Sequence, residues 1–180
     1  ASHRRPVSSV LRRFLSSSRG CEIVIELFRS MPPRLLDLDG VGENAAEILL
    51  SVPVQECLGL RVRRNGFQDL AWLERGFSKL VFLFVDELNV VNIEPIATCN
   101  NLVVLNLDCP HLVDLSPLLS CRNLHSLILV RSGVTDLAPL MAKTDLVIEG
   151  DLSGVPTEQR AVLDERRRLR EQKRRTEEQP

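Results

Sequence analysis

The chain contains no tyrosine, a single tryptophan and six phenylalanines. With aromatics at 4% and hydrophobic residues at 44%, its core has to be packed mainly from leucine, valine and isoleucine. No apolar run approaches the roughly 18 residues of a membrane-spanning helix, so none is expected. Catalytic signatures are missing as well. There is no P-loop, no H-E-x-x-H and no G-x-S-x-G, and no local pattern puts a nucleophile beside a base. A non-enzymatic chain without cofactors or catalytic residues is expected. No C-x-x-C occurs among Cys21, Cys57, Cys99, Cys109 and Cys121, and His3, His111 and His125 are scattered. A structural metal site is therefore not expected. Five cysteines cannot all pair, and they read as small buried apolar residues of a reducing compartment.

What the chain does have is one pattern spelled three times. Leu80, Leu102 and Leu124 are 22 apart, and Leu146 falls one step further. The first unit carries Leu80, Leu83, Val85, Ile93 and Ile96. The second has Leu102, Leu105, Leu107, Leu115 and Leu118, and the third Leu124, Leu127, Leu129, Leu137 and Leu140. Two further columns keep the step: Asn92, Asp114 and Asp136, then Pro95, Pro117 and Pro139.

Each column has a physical reading. L-x-L is period-two alternation, so both leucines point to one side of a short strand. Asp or Asn ahead of the next apolar residue suits an N-cap, and Pro three residues on suits a first helical turn. Each unit then reads as strand, turn, short helical or 3₁₀ segment, and return. One unit alone cannot hide its leucines, whereas stacked units bury a continuous spine at about 25 cal/mol per Å². The L-x-x-L-x-L spacing resembles the leucine-rich repeat superfamily. The D-L-x-P-L turns at Asp114–Leu118 and Asp136–Leu140 are similar to the 22-residue subtype of phosphatase-regulatory subunits. The resemblance covers roughly residues 35–156. It implies a curved solenoid that binds proteins. The usual Asn column departs from the family pattern, holding Leu88, Pro110 and Ser132 in the cleanest units.

Earlier units are degenerate. Leu35, Leu36 and Leu38 read as a first strand, with Leu35 to Cys57 one 22-residue step. The next unit, from Cys57 through Leu60, Val62 and Asn65, takes 23. The last starts near Asp145, one residue early, with Ile148 and Gly150 inward and Val155 closing. Gly40-Val41-Gly42-Glu43-Asn44-Ala45 matches a loose dinucleotide fingerprint, but the next strand follows too soon for a βαβ unit. The glycines read as turn formers. The expected fold is α/β: a solenoid of about five to six repeats with a short parallel sheet on its concave face. Residues 21–32, with Ile23, Ile25, Leu27 and Phe28, form a capping helix. Residues 157–180 form a charged C-terminal helix, in which Val162 and Leu169 are too few for a core face.

The formal net charge of −1 hides an asymmetry. Residues 1–20 carry +5, residues 21–156 carry −8 and residues 157–180 carry +2. Basic ends on an acidic body suggest contact with something negative. Residues 1–20 are Arg- and Ser-rich, acid-free and amphipathic, as mitochondrial or plastid targeting segments are. A flexible basic tail, or a retained arm held by RNA or an acidic partner, fits the same residues. Candidate contacts are Arg4, Arg5, Arg12, Arg13 and Arg19 in the arm. In the C-terminal helix they are Arg166, Arg167, Arg168, Arg170, Lys173, Arg174 and Arg175, against the plainer reading of a solvated charged helix.

By period two, the residues facing away from the spine run from Asp37, Asp39 and Val41 to Val147, Glu149 and Asp151. Among them Arg61, Arg63, Phe82, Phe84, Val104, Asn106, Asp108, Ile128 and Val130 are the candidate protein-binding set. An exposed apolar patch marks an interface, and aromatics and Arg are its common anchors. A tail or the N-terminal helix folding back over the patch is the alternative. Two functions follow. One is a structural subunit or assembly factor of a large mitochondrial complex, the mitochondrial ribosome foremost, with rRNA at the tails and a matrix location. The other is a free, cytoplasmic, phosphatase-regulator-like adaptor that docks one protein.

Overall fold

A computed structural model describes Leu15 and residues 17–177. Six parallel strands lie in chain order in one open sheet. They are β1 (Leu35–Asp39), β2 (Gly59–Arg63), β3 (Phe82–Asp86), β4 (Val104–Asp108), β5 (Ser126–Val130) and β6 (Val147–Gly150). Leu83, Leu105 and Leu127 pair side by side on adjacent rungs, as do Val85, Leu107 and Leu129. All six are buried, forming the spine that the L-x-L spacing predicts. The protein is a leucine-rich repeat solenoid.

The returns are short. In the first coil α2 (Asn44–Ser51) crosses back, and later coils use 3₁₀ turns at Ala71–Arg75, Glu94–Thr98, Ser116–Leu119 and Ala138–Leu140. The Asn/Asp column holds the turn, but as Asx turns rather than as the expected N-caps, which fall one residue later at Ile93, Leu115 and Leu137. The side chains of Asn92, Asp114 and Asp136 each accept the N–H two residues on at 2.8 Å, which fixes the turn ahead of the proline. Gly40 and Gly42 sit at φ of 65° and 73° and make the turn into α2.

Register departs from the reading in the first coil. Leu35 pairs with Gly59, Gly59 with Phe82, Phe82 with Val104, Val104 with Ser126, and Ser126 with Val147, so the steps run 24, 23, 22, 22 and 21. The first step is two residues longer than expected. Adjacent Leu35 and Leu36 cannot share a strand face, and it is Leu36 and Leu38 that turn inward. Leu35 faces out and Val41, expected on the open face, is buried. Gly150, the last residue of β6, pairs with Leu129 and completes the inward column at a φ of 111°, but it is exposed.

Both ends are capped. α1 (Ser18–Ser30) begins within the stretch that the sequence assigns to the basic arm, with the Ser17 hydroxyl accepting the Gly20 N–H at 3.1 Å. Its inward face is Cys21, Val24 and Ile25, with Phe28 packed beside them. Ile23 and Leu27, expected to cover the repeat, are exposed, because i, i+3, i+4, i+7 spacing sets the buried stripe at Cys21 rather than Ile23. Leu15 is also buried, and its carbonyl accepts from Asn44 Nδ2 at 2.9 Å. At the other end α3 (Thr157–Glu177) seals the last coil with Leu163, leaving Val162 and Leu169 exposed. Val155 is buried there too.

Candidate functional site: the concave face

Alternation along each strand sets three outward rows. The first is Leu35, Gly59, Phe82, Val104, Ser126 and Val147. The second is Asp37, Arg61, Phe84, Asn106, Ile128 and Glu149. The third is Asp39, Arg63, Asp86, Asp108 and Val130. Arg61, Arg63, Phe82, Phe84, Val104, Asn106, Asp108, Ile128 and Val130 thus share one surface. No described element lies across it: Phe82 is 43% exposed and Leu35 74%.

The rows differ in chemistry. The first is largely apolar. The third is a lattice of ion pairs, in which Arg63 reaches Asp86 at 2.6 Å and Arg64 reaches Asp39 at 2.7 Å. Arg131 binds Asp108 at 2.6 Å and Asp86 at 3.4 Å. Arg64 and Arg131 follow their strands at φ of 54° and 44°, a left-handed backbone that only a constrained non-glycine residue keeps. That conformation directs each guanidinium back onto an aspartate of the preceding rung. In the middle row Arg61 binds Asp37 at 3.2 Å and lies 5.5 Å from the centre of the Phe84 ring. Exposed pairs of this kind stabilise little, and here they neutralise the face.

Gly59 interrupts the first row. The gap opens a recess of about 340 Å³ lined by Leu35, Leu36, Asp37, Gly59, Leu60, Arg61, Phe82 and Phe84. A second depression of about 300 Å³ lies between Arg61, Arg63, Phe84, Asp86, Asn106, Asp108 and Val130.

Behind the face sits a residue that sequence reasoning missed. Glu87 is 1% exposed. Its carboxylate accepts the N–H groups of Asn65 at 2.9 Å and Gly66 at 3.0 Å, and the Asn65 amide at 3.2 Å. Asn65 in turn donates to the Leu38 carbonyl at 2.6 Å and accepts from Val41 and Gly42 at 2.9 and 3.1 Å. One polar relay ties the turns of three coils together, replacing the absent Asn column. Burial pushes the Glu87 carboxyl up from its ordinary range, and the N–H donors oppose that. The available signal was Asn65 in the consensus column; nothing local to Glu87 marks it as buried. A second missed ladder joins the returns, with Asn101 donating to Ser78, Asn123 to Asn100 and Lys143 to Cys121, at 2.6, 2.9 and 2.8 Å.

The basic candidates divide. Arg4, Arg5, Arg12 and Arg13 lie outside the described residues, and Arg19 is exposed on α1. On α3, Arg166 donates to the Met141 carbonyl at 2.7 Å and Arg170 to Thr144 at 2.6 Å, so both cap carbonyls of the last return. Arg167 faces Glu149 at 3.7 Å. Arg168 pairs with Glu165 at 3.8 Å and Lys173 with Glu177 at 3.9 Å. Arg174 and Arg175 occupy the exposed last turn.

Among the described residues no group of three or more His, Cys, Asp or Glu side chains could hold a metal, and no helix is long and apolar enough to cross a membrane. The five cysteines are free and buried, and burial pushes the thiols of Cys21, Cys57, Cys99 and Cys109 up to about 11 and that of Cys121 upward.

What fold and face together define is a leucine-rich repeat solenoid with an open, charge-paired concave surface. No family model matches the chain, and no curated protein does. Among solved structures it is similar to an internalin C2 of Listeria monocytogenes, at 23% identity over 62% of this chain and 52% of that one, with a TM-score of 0.48. It is also similar to an internalin F of the same organism, at 21% identity over 62% of this chain and 39% of that one, with a TM-score of 0.43. The chain therefore spans about half of the first protein and two fifths of the second.

Proposed function

We propose that the chain is a non-catalytic interaction scaffold that docks a protein partner on its concave face. The observation that carries this reading is the apolar row of Leu35, Phe82 and Val104, left open beside aspartates and arginines that already satisfy one another. A soluble surface rarely keeps such a row uncovered without a partner. Phe84→Ala tests it. The expected result is a clear loss of partner capture from cell extract, with little fall in melting temperature. Unfolding without a selective loss of capture would mean that Phe84 serves the core.

The adaptor form of this reading, akin to phosphatase-regulatory repeats, draws support from the 22-residue steps between β3, β4 and β5. The form with a mitochondrial complex, its ribosome foremost, draws on the acid-free arm and on the exposed end of α3. In that form rRNA phosphates meet the tails, and association weakens steeply with salt. Deleting residues 1–20 and finding the protein still sedimenting with a large particle would remove the arm from the account.

A further inference from the structure

Two glycines of the sheet differ in what they are for. At Gly150 an added Cβ would meet the Leu129 carbonyl oxygen at 1.9 Å, so the fold demands glycine there. At Gly59 the backbone makes no such demand. Its φ lies outside the left-handed region. An added Cβ would meet only side chains, Leu35 Cδ2 at 2.7 Å and Phe82 Cβ at 3.8 Å. Leu35 is largely exposed and free to rotate away. Glycine inside a strand weakens it relative to alanine and often marks a close approach by another chain. The cost at Gly59 secures no backbone geometry; the glycine is buried beneath the tip of the Leu35 side chain. What it leaves is the recess.

Resting on the scaffold reading above, we infer that the recess over Gly59 is the anchor point of the concave face. It takes one large apolar side chain carried on a near-neutral segment of a protein partner. Its lining of Leu35, Phe82, Phe84 and the Arg61 stem is apolar except for the Arg61–Asp37 ion pair at its rim. Charge identifies the rest of the partner. Asp37 is paired with Arg61 and Asp39 with Arg64 at the rim, and Arg63 with Asp86 beyond it. A partner gains nothing from opposite charge here, and a polyanion would have to displace these aspartates. Docking is therefore driven by apolar burial and depends little on salt.

The test uses Gly59→Val in the full chain. Valine suits a strand and places two methyl groups in the recess. Short random peptides displayed on phage are selected on the wild-type chain, and the winners are titrated against the variants at low and physiological salt. The expected winners share a Leu, Met, Phe or Trp, carry almost no net charge, and bind almost equally at both salts. They bind Gly59→Val at least about tenfold more weakly, the scale of one lost anchor. The melting temperature of Gly59→Val is unchanged or raised. If it falls instead, Leu35→Ser, which removes one exposed wall, is read the same way. Winners that ignore Gly59→Val but are lost on Ile128→Arg would overturn the anchor while the concave scaffold stands. Winners that ignore both would remove the scaffold reading too. Runs of acidic or basic residues with steep salt dependence would overturn the neutral partner. A concentration-dependent dimer of the wild-type chain, abolished by Gly59→Val, would replace that partner with a second copy.

Discussion

The two halves of the solenoid solve the same stacking problem differently. From β4 to β6 the coils repeat at 22 and 21 residues, use aliphatic side chains throughout and turn on D-L-x-P-L. From α1 to β3 the steps are 24 and 23, and every aromatic residue of the chain lies at or before Phe84. Phe67, Trp72 and Phe77 pack as a row, with ring centres 5.6 and 5.8 Å apart. The same half holds the Asn65–Glu87 relay, the left-handed Arg64 and the recess at Gly59. Stacking needs neither the relay nor the recess, since the later coils manage without them, whereas the left-handed arginine recurs there as Arg131. The regular half is the simpler support, and the irregular half carries the departures that a partner would read.

The largest expected contrast comes from the spine. Leu105→Ala removes a fully buried side chain between two identical neighbours and should cost about 2–5 kcal/mol. Urea unfolding measures this. A value near zero would mean that the regular coils are loosely packed. Next comes the relay. Glu87→Gln sets an amide N–H₂ against backbone N–H donors and should cost about 1–3 kcal/mol. Its pH dependence has a definite sign. Because the folded carboxyl titrates above its unfolded value, its protonation favours the fold. That contribution is complete below the unfolded value and is lost as pH rises through the folded one. Wild type should therefore gain stability over Glu87→Gln between pH 7 and about pH 4. A gap that narrows on acidification would mean that the N–H donors outweigh burial. The smallest effect belongs to Arg64→Gly. It relieves left-handed strain of about 1–3 kcal/mol and removes an exposed ion pair that contributes about 0–1 kcal/mol. An unchanged or raised urea midpoint is expected, and a clear drop would show that Arg64 holds the first coils together.

Much of this was legible because it is local. Leu83-x-Val85, Leu105-x-Leu107 and Leu127-x-Leu129 specify inward and outward faces within a few residues. The Asx turns at Asn92, Asp114 and Asp136 need only their own backbone. The nine concave residues followed from the same alternation. Alternation alone does not choose between adjacent Leu35 and Leu36; the stack gives the spine to Leu36 and leaves Leu35 lining the recess. Reading failed on α1, where several helical stripes were open and packing against α2 selected the one through Cys21.

The sequence alone determined the coil, its period and the side of each strand that would be apolar, because a two-residue alternation is enforced by the geometry of a single strand. Tertiary structure decided the rest. It set the 24-residue first step, the burial of Glu87 beneath its donors and the use of Arg166 and Arg170 as carbonyl caps. Each of these depends on a group more than twenty residues away, brought near only when the coils stack.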